Sequence, residues 1–353
     1  MKSAERISAT SRPAQAAWKE LVARHQRPDH RRATWQLVNS ITPFLATWVA
    51  IYFALLVSWW LALPLAVLAG GLLVRIFIIL HDCGHGSFYE SRRANDFWGG
   101  IAGVLTFTPY IHWRWEHSIH HATSGNLDHR GVGDVWTMTV EEYLASSRAR
   151  RFSYRVVRHP LVLLLVAPAV LFVGWQRFVS KDAGPRERRS VYGTNVALLA
   201  TTCAGCAVFG IVPFLILQAT MIAVAGAAGV WLFYVQHQFD GAYWERDAEW
   251  GYAEAALRGS SYYALPRVLQ WFSGNIGFHH IHHLNPRIPN YHLERCHASD
   301  PVFQSVKRLT LLGSVSAGGL RLWDEATKEL VGLRRVRELR AVRASSTARS
   351  RAG

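Results

Sequence analysis

Nine of the chain's 17 histidines fall where imidazoles can share a point. His81 and His85 are four residues apart. His117, His120 and His121 share one spacing with His279, His282 and His283, and His237 stands alone between Gln236 and Gln238. On a helix, positions i, i+3 and i+4 lie on one face, so each cluster can aim two or three rings at one place. Neutral imidazole suits Zn, Cu, Fe and Ni, and nine rings exceed what one ion can use; a pair of metal ions is the economical reading. A single H-x3-H is weak evidence, because buried or surface histidines fall at that spacing by chance. Three such boxes predicted at one face of a membrane are far harder to obtain by accident. His237, at a helix end, also fits a plain interfacial position.

Metal-bound histidine usually donates its other ring N–H to a carboxylate or carbonyl. Asp82, Glu116, Asp128, Asp134 and Asp240 are close enough in sequence to serve, although an ion pair to one of the many arginines explains each equally well. His112, His129, His292 and His297 are near the boxes but are not assigned as ligands.

The elements that must position these rings are apolar runs. Half of the residues are hydrophobic, with 15 Trp, 12 Tyr and 16 Phe, and they are concentrated in a few blocks. The block from Ile41 to Leu80 has about 40 residues, enough at 1.5 Å each for two crossings of a ~30 Å core. Pro64, after Trp59 and Trp60, marks the expected turn, with the Trp pair at the interface. A second block, Tyr192 to Val235, has the same capacity, with Gly210 and Pro213 at its turn. The expected spans are about 41–61, 63–80, 192–211 and 213–236. Neither turn carries a charge, whereas arginines crowd the other ends, so the positive-inside rule places both termini and the histidines in the cytoplasm.

The run Leu161–Phe172 has arginines on both flanks, so it should dip in and return or lie in the interface. Another short helix is expected around Phe97–Tyr110. Arg75, inside the second span, should snorkel or pair within the bundle. The fold class is therefore an all-α integral membrane protein: four transmembrane helices, interfacial or re-entrant helices and a histidine-rich cytoplasmic cap. Residues 1–40 form a cytoplasmic segment with no apolar core of the signal-peptide kind. Residues 41–325 form the membrane domain. The basic tail, 326–353, is expected to begin as a helix and end disordered.

The net charge of +15 fits a membrane surface. Nucleic acid is excluded as a partner, because no helix-turn-helix, zinc-finger spacing or RNP-type aromatic motif is present. Four cysteines make no disulfide framework. Cys203 and Cys206, separated by Ala and Gly in an apolar run, read as small residues packing helix against helix.

The sequence resembles the membrane fatty acid desaturase family over most of residues 41–325. The segments that carry the resemblance are His81-Asp82-Cys83-Gly84-His85, His117-Ser118-Ile119-His120-His121 and His279-His280-Ile281-His282-His283. Gly131–Trp136 and Asn285–Tyr291 are similar to the bacterial, delta-12-type branch. The resemblance implies two iron ions, O2 as co-substrate and an acyl chain held in a narrow tunnel. It implies His81, His85, His117, His120, His121, His279, His282 and His283 as ligands, with His237 as the ninth. His280 matches no ligand position and is expected to support the others. Some relatives use an Asn, through water, near the fourth-span histidine; Phe233 cannot do this, and Asn275 is the candidate.

Removing two hydrogens from an unactivated acyl chain needs an oxidant that side chains cannot supply. No G-x-G-x-x-G after a strand, haem pattern or iron–sulfur pattern is present, so electrons must come from an external carrier such as a ferredoxin or cytochrome docking on the basic face. The substrate would be a fatty acyl lipid or acyl-CoA, and in a bacterium the site would be the inner membrane. Two rivals share part of this pattern. A hydroxylase or ketolase of the same architecture would act on a fatty acid, sterol, carotenoid or alkane. A non-enzymatic metal carrier would instead place ligands along a path near the bilayer midplane.

Overall fold

The computed structural model describes residues 12–338, with side chains from residue 18. Residues 1–11 and the end of the basic tail, 339–353, lie outside the described residues. After α1 (Arg12–Ala23), helix α2 (His30–Leu55) starts at Asp29, whose carboxylate accepts the Arg32 N–H at 3.1 Å. Helix α3 (Trp59–His85) starts at Ser58, whose Oγ accepts the Trp60 N–H at 3.2 Å. The α2–α3 turn is therefore Leu56–Ser58, and Pro64 lies inside α3 rather than in the turn. Pro64 is the sixth residue of α3 and forgoes only the one hydrogen bond to the Trp60 carbonyl, so the Ser58 cap decides the boundary. At its other end α3 stops at Gly86, where φ of 67° suits a residue without Cβ.

Helices α4 (Arg92–Leu105) and α5 (Tyr110–Thr123) follow, then α6 (Val140–Ala145) and α7 (Arg148–Val157). Residues Val162–Arg177 continue from α7 after a 66° bend. A Cβ on Gly226 would sit 2.4 Å from Pro168 Cβ, so this bent segment packs tightly on α9 (Ile211–His237) about 16 Å before that helix ends. Helix α8 (Pro185–Phe209) meets α9 at Gly210, with φ of 83°.

α2, α3, α8 and α9 are the four helices long and apolar enough to cross a membrane. Their most apolar windows differ in burial: 61% for α3 but only 17% for α8, so α3 is the core of the bundle and α8 faces outward. A Cβ on Gly70 would lie 2.7 Å from Val224 Cβ, which shows how closely α3 approaches α9. Both helices run toward the same end of the bundle and finish on histidines. Cys203 is exposed, and it is Gly205, beside Phe214, that lets α8 reach α9.

The histidine end is closed by α10 (Tyr252–Arg258), α11 (Arg267–Phe272), α12 (His279–Leu284), α13 (Asn290–Ala298) and α14 (Pro301–Gln304). Five short strands join them: β1 (Met138–Thr139), β2 (Tyr262–Ala264), β3 (Arg308–Thr310), β4 (Leu322–Asp324) and β5 (Glu329–Val331). β2 and β3 pair in parallel, while β4 lies between β1 and β5. The strands pin the C-terminal segment across the cap.

One further element has no counterpart among the segments read from the sequence. α11 reaches down into the bundle, where Phe272 would contact a Cβ on Gly71 at 3.2 Å. Gly71 is about 21 Å along α3 from His85, close to the middle of a ~30 Å core. Arg75 holds this segment: its guanidinium donates to the Trp271 carbonyl, lies 4.1 Å over the Trp271 ring, and donates to Ser40 Oγ (3.0 Å) and Asn39 Oδ1 (3.2 Å). Arg75 thus pairs within the bundle.

Candidate metal centre

Four elements deliver the nine histidines. His81 and His85 are in the last turn or two of α3, His117, His120 and His121 are in the second half of α5, His237 ends α9, and His279, His282 and His283 lie on α12. The ligand nitrogens of His81, His85, His117, His121 and His282 all lie within 4.8 Å of one another, and those of His120, His237 and His283 form a second such group. His279 joins the second group through its Nε2, 2.9 Å from His237 Nε2. In the first, His121 Nε2 is 3.1 Å from His117 Nε2 and 2.9 Å from His282 Nε2. Two nitrogens on adjacent positions around one ion, each at about 2.1 Å, stand about 3.0 Å apart. The spacing is that of metal ligands.

The rings are also short of partners. Nε2 of His85, His120 and His283 are buried with no hydrogen bond. A buried, unsatisfied polar atom costs about 1–3 kcal/mol, so several pointing inward together demand an electrophile. Burial, reinforced by the neighbouring imidazoles, pushes His117, His121, His279, His282 and His283 well below the ordinary histidine range. They therefore stay neutral, the state that offers a lone pair. These residues fit a pair of metal ions.

Two of the carboxylates are brought to the rings. Asp134 Oδ1 is 2.6 Å from His120 Nδ1, and Asp82 Oδ1 is 3.1 Å from His81 Nδ1. His237 Nδ1 lies 3.2 Å from the Gly259 carbonyl. Each contact fixes which nitrogen faces the centre. The structure does not bring Glu116, Asp128 or Asp240 to a boxed imidazole: Glu116 accepts from Ser180 Oγ (2.8 Å), Asp128 pairs with Arg246 (2.6 Å) and Asp240 with Lys307 (3.1 Å). His280 turns away, with its Nε2 3.1 Å from His297 Nδ1. Asn275 donates to the Asn290 carbonyl at 3.3 Å and reaches the centre only through that neighbour.

Two contributors were not singled out from sequence. Asn290 donates both its backbone N–H (2.6 Å) and its side-chain amide (2.8 Å) to Asp82 Oδ2, fixing the carboxylate that faces His81. Trp113 stacks on His117 with ring centroids 4.4 Å apart. Its place one turn before His117 on α5 was the available signal. Phe233 likewise lies against His120 and His237, an apolar wall beside the second group.

The sequence pattern of a family described as fatty acid desaturase matches residues 58–306, a stretch that contains every one of these histidines. The chain belongs to the fatty acid desaturase family. It is 45% identical over 318 residues, 90% of each chain, to a fatty acid desaturase of Bacillus subtilis (strain 168). It is 28% identical over 253 residues, 68% of each chain, to the sn-1 oleoyl-lipid 12-desaturase of a Synechocystis species. A third relative, 31% identical over 286 residues, is the chloroplastic sn-2 acyl-lipid omega-3 desaturase (ferredoxin) of Arabidopsis thaliana; the match covers 72% of this chain and 60% of that one. The chain is thus a membrane-associated oxidoreductase acting on fatty acyl chains, and the matched stretch contains the histidine cluster.

Proposed function

We propose that the nine histidines hold two iron ions and that the enzyme introduces a cis double bond into the acyl chain of a membrane lipid, using O2 and electrons from an external carrier. The observation that carries the reading is the convergence of nine ring nitrogens, from four elements, into two adjoining groups with unpartnered buried nitrogens. The iron pair would supply the oxidant that side chains lack. His81, His85, His117, His121 and His282 would hold one ion, and His120, His237, His279 and His283 the other. Asp82 and Asp134 keep the Nδ1 protons of His81 and His120 in place, so that each Nε2 faces inward. Trp113 and Phe233 keep water from the rings, and a dry pocket suits an apolar chain.

The names of the Synechocystis and Arabidopsis relatives specify acyl lipids, which supports a lipid substrate over acyl-CoA. The name of the latter also specifies ferredoxin, which supports a protein carrier, and a carrier with an acidic docking face would suit a chain of net charge +15. The uncharged turns Leu56–Ser58 and Gly210 support an orientation with the histidine end and both termini in the cytoplasm, in the inner membrane of a bacterium.

The test is expression in a host that makes only saturated and mono-unsaturated lipids, followed by fatty acid profiling and metal analysis of the purified protein. New unsaturated species and about two irons per chain are expected. His120→Ala should abolish the product; persistence of product would overturn the ligand assignment. Iron without any change in the profile would point to metal carriage instead.

A further inference from the structure

Away from the metal centre, the α1–α2 turn, the start of α2, the α3–α4 turn, α4 and α13 line a groove of 1170 Å³ among the described residues. Its mouth is basic: Arg24, Arg27, Arg32 and Arg295 line it, against the carboxylates of Asp29 and Glu90. A neighbouring cavity of 500 Å³ shares Arg24, His292 and Arg295 and extends the basic surface. Arg27 pairs with Glu90 at 3.3 Å and Arg32 with Asp29 at 3.6 Å, and all four side chains are exposed. Such pairs hold their arginines weakly and yield to a better anion. Arg295 forms no ion pair among the described residues. The field is felt nearby: His25 is pushed below its ordinary range by burial first and then by the charge of Arg295.

The floor has the opposite character, with Leu37, Val38, Ile41 and Trp98. Height explains the division. α2 has 26 residues. At 1.5 Å per residue it is about 39 Å long, against a ~30 Å hydrocarbon core and 40–45 Å with headgroups. Its first turn therefore stands at headgroup level, and Leu37 to Ile41 begin the hydrocarbon level. Trp35, Val38 and Leu45 on α2 are exposed, so the groove opens sideways along a lipid-facing surface. Inorganic phosphate would use the arginines and leave this floor bare. An anion with an attached acyl chain uses both.

We propose that this groove binds an anionic glycerophospholipid, with its phosphate on Arg27, Arg32 and Arg295 and an acyl chain along Leu37, Ile41 and Trp98. The rim is joined to the metal centre by a short chain of contacts. The Asp29 N–H donates to Tyr291 Oη at 3.0 Å, and the adjacent Asn290 holds Asp82 against His81. The site itself does not depend on the metal assignment, because its readout is bound lipid.

The full chain, purified in mild detergent, is titrated with phosphatidylglycerol or phosphatidylcholine of identical acyl chains, and lipid-bound species are counted by native mass spectrometry. Phosphatidylglycerol should bind at least about tenfold more tightly, because phosphatidylcholine carries the same phosphate but adds a choline cation that the arginines repel. The Arg27→Ala/Arg295→Ala double variant should bind phosphatidylglycerol at least about tenfold more weakly and lose most of that preference while keeping its thermal midpoint. Arg150→Ala, on the exposed face of α7, should behave as wild type. Unchanged phosphatidylglycerol binding in the double variant overturns the proposal. So does displacement of the lipid by millimolar inorganic phosphate, which would mark a free-phosphate site, or tighter binding of an acyl-CoA, which would mark a different occupant. Loss of lipid binding with normal iron content would leave the metal reading intact, and the converse would leave the groove intact.

Discussion

Asp134 is nearly fully buried and uses both oxygens, one toward His120 Nδ1 at 2.6 Å and the other toward the Gly131 N–H at 3.3 Å. Its work is to hold one imidazole in one tautomer and one direction. Removing such a partner typically lowers metal affinity or activity 10–100-fold. Asp134→Ala should therefore lower iron content and product by roughly that factor, whereas Asp240→Ala, which removes only an exposed contact to Lys307, should stay near wild type. Iron per chain and fatty acid profiles, measured on the same preparations, check both. The ligand candidates were legible in sequence because their spacing is helical and local. Their partners were less so: Asp82 and Asp134 touch rings and Asp128 does not, yet all three are acidic residues near a box. Asp128 is drawn off by Arg246, a residue more than a hundred positions away, and no local pattern reports that.

At the scale of elements, the α3–α9 contact fixes where the two groups of nitrogens lie relative to each other. Gly70→Ala places a Cβ 2.7 Å from Val224 Cβ, so the helices must part. Overpacking of this kind costs about 1–3 kcal/mol, and the thermal midpoint and iron content should both fall. The four long helices were readable because apolar length alone signals them. α11 was not, since Arg267-Val268-Leu269-Gln270-Trp271-Phe272 is too short and too polar to resemble a membrane segment. It is held in the bundle by partners far away in sequence, Gly71 and Arg75. Arg75→Met removes the donor to the Trp271 carbonyl and leaves Ser40 and Asn39 without it. Hydrogen exchange at residues 267–272 should then accelerate by about tenfold or more, the equivalent of one lost buried hydrogen bond. The turn at Ser58 rather than Pro64 has a local cause, because the serine caps the helix start while Pro64 removes only one hydrogen bond in the second turn.

The whole molecule folds around neutral imidazoles, which sets how it responds to acid. Burial lowers His117, His121, His279, His282 and His283 well below the ordinary range, and burial followed by the His297 charge takes His280 down to about 3. Unfolded, each would titrate near about 6.5. The unfolded chain therefore binds more protons below that value, and stability present at neutral pH is lost as pH falls toward the folded values. Protein stripped of metal by a chelator should melt at a clearly lower temperature near pH 5 than near pH 7.5, as followed by intrinsic fluorescence; a flat profile would contradict the burial of these rings. The metal-loaded protein should melt above the stripped one at either pH, because binding to the native state alone adds stability.

The parallel course of α3 and α9 has one more effect. His85 and His237 are the final residues of those helices, and His120 and His121 lie in the last turn of α5. Three carbonyl-rich helix ends thus lie beside the histidine cluster. Each end acts as roughly half a negative charge through the aligned peptide dipoles. If two ions are held there as proposed, the backbone would supply part of the negative potential that offsets their charge.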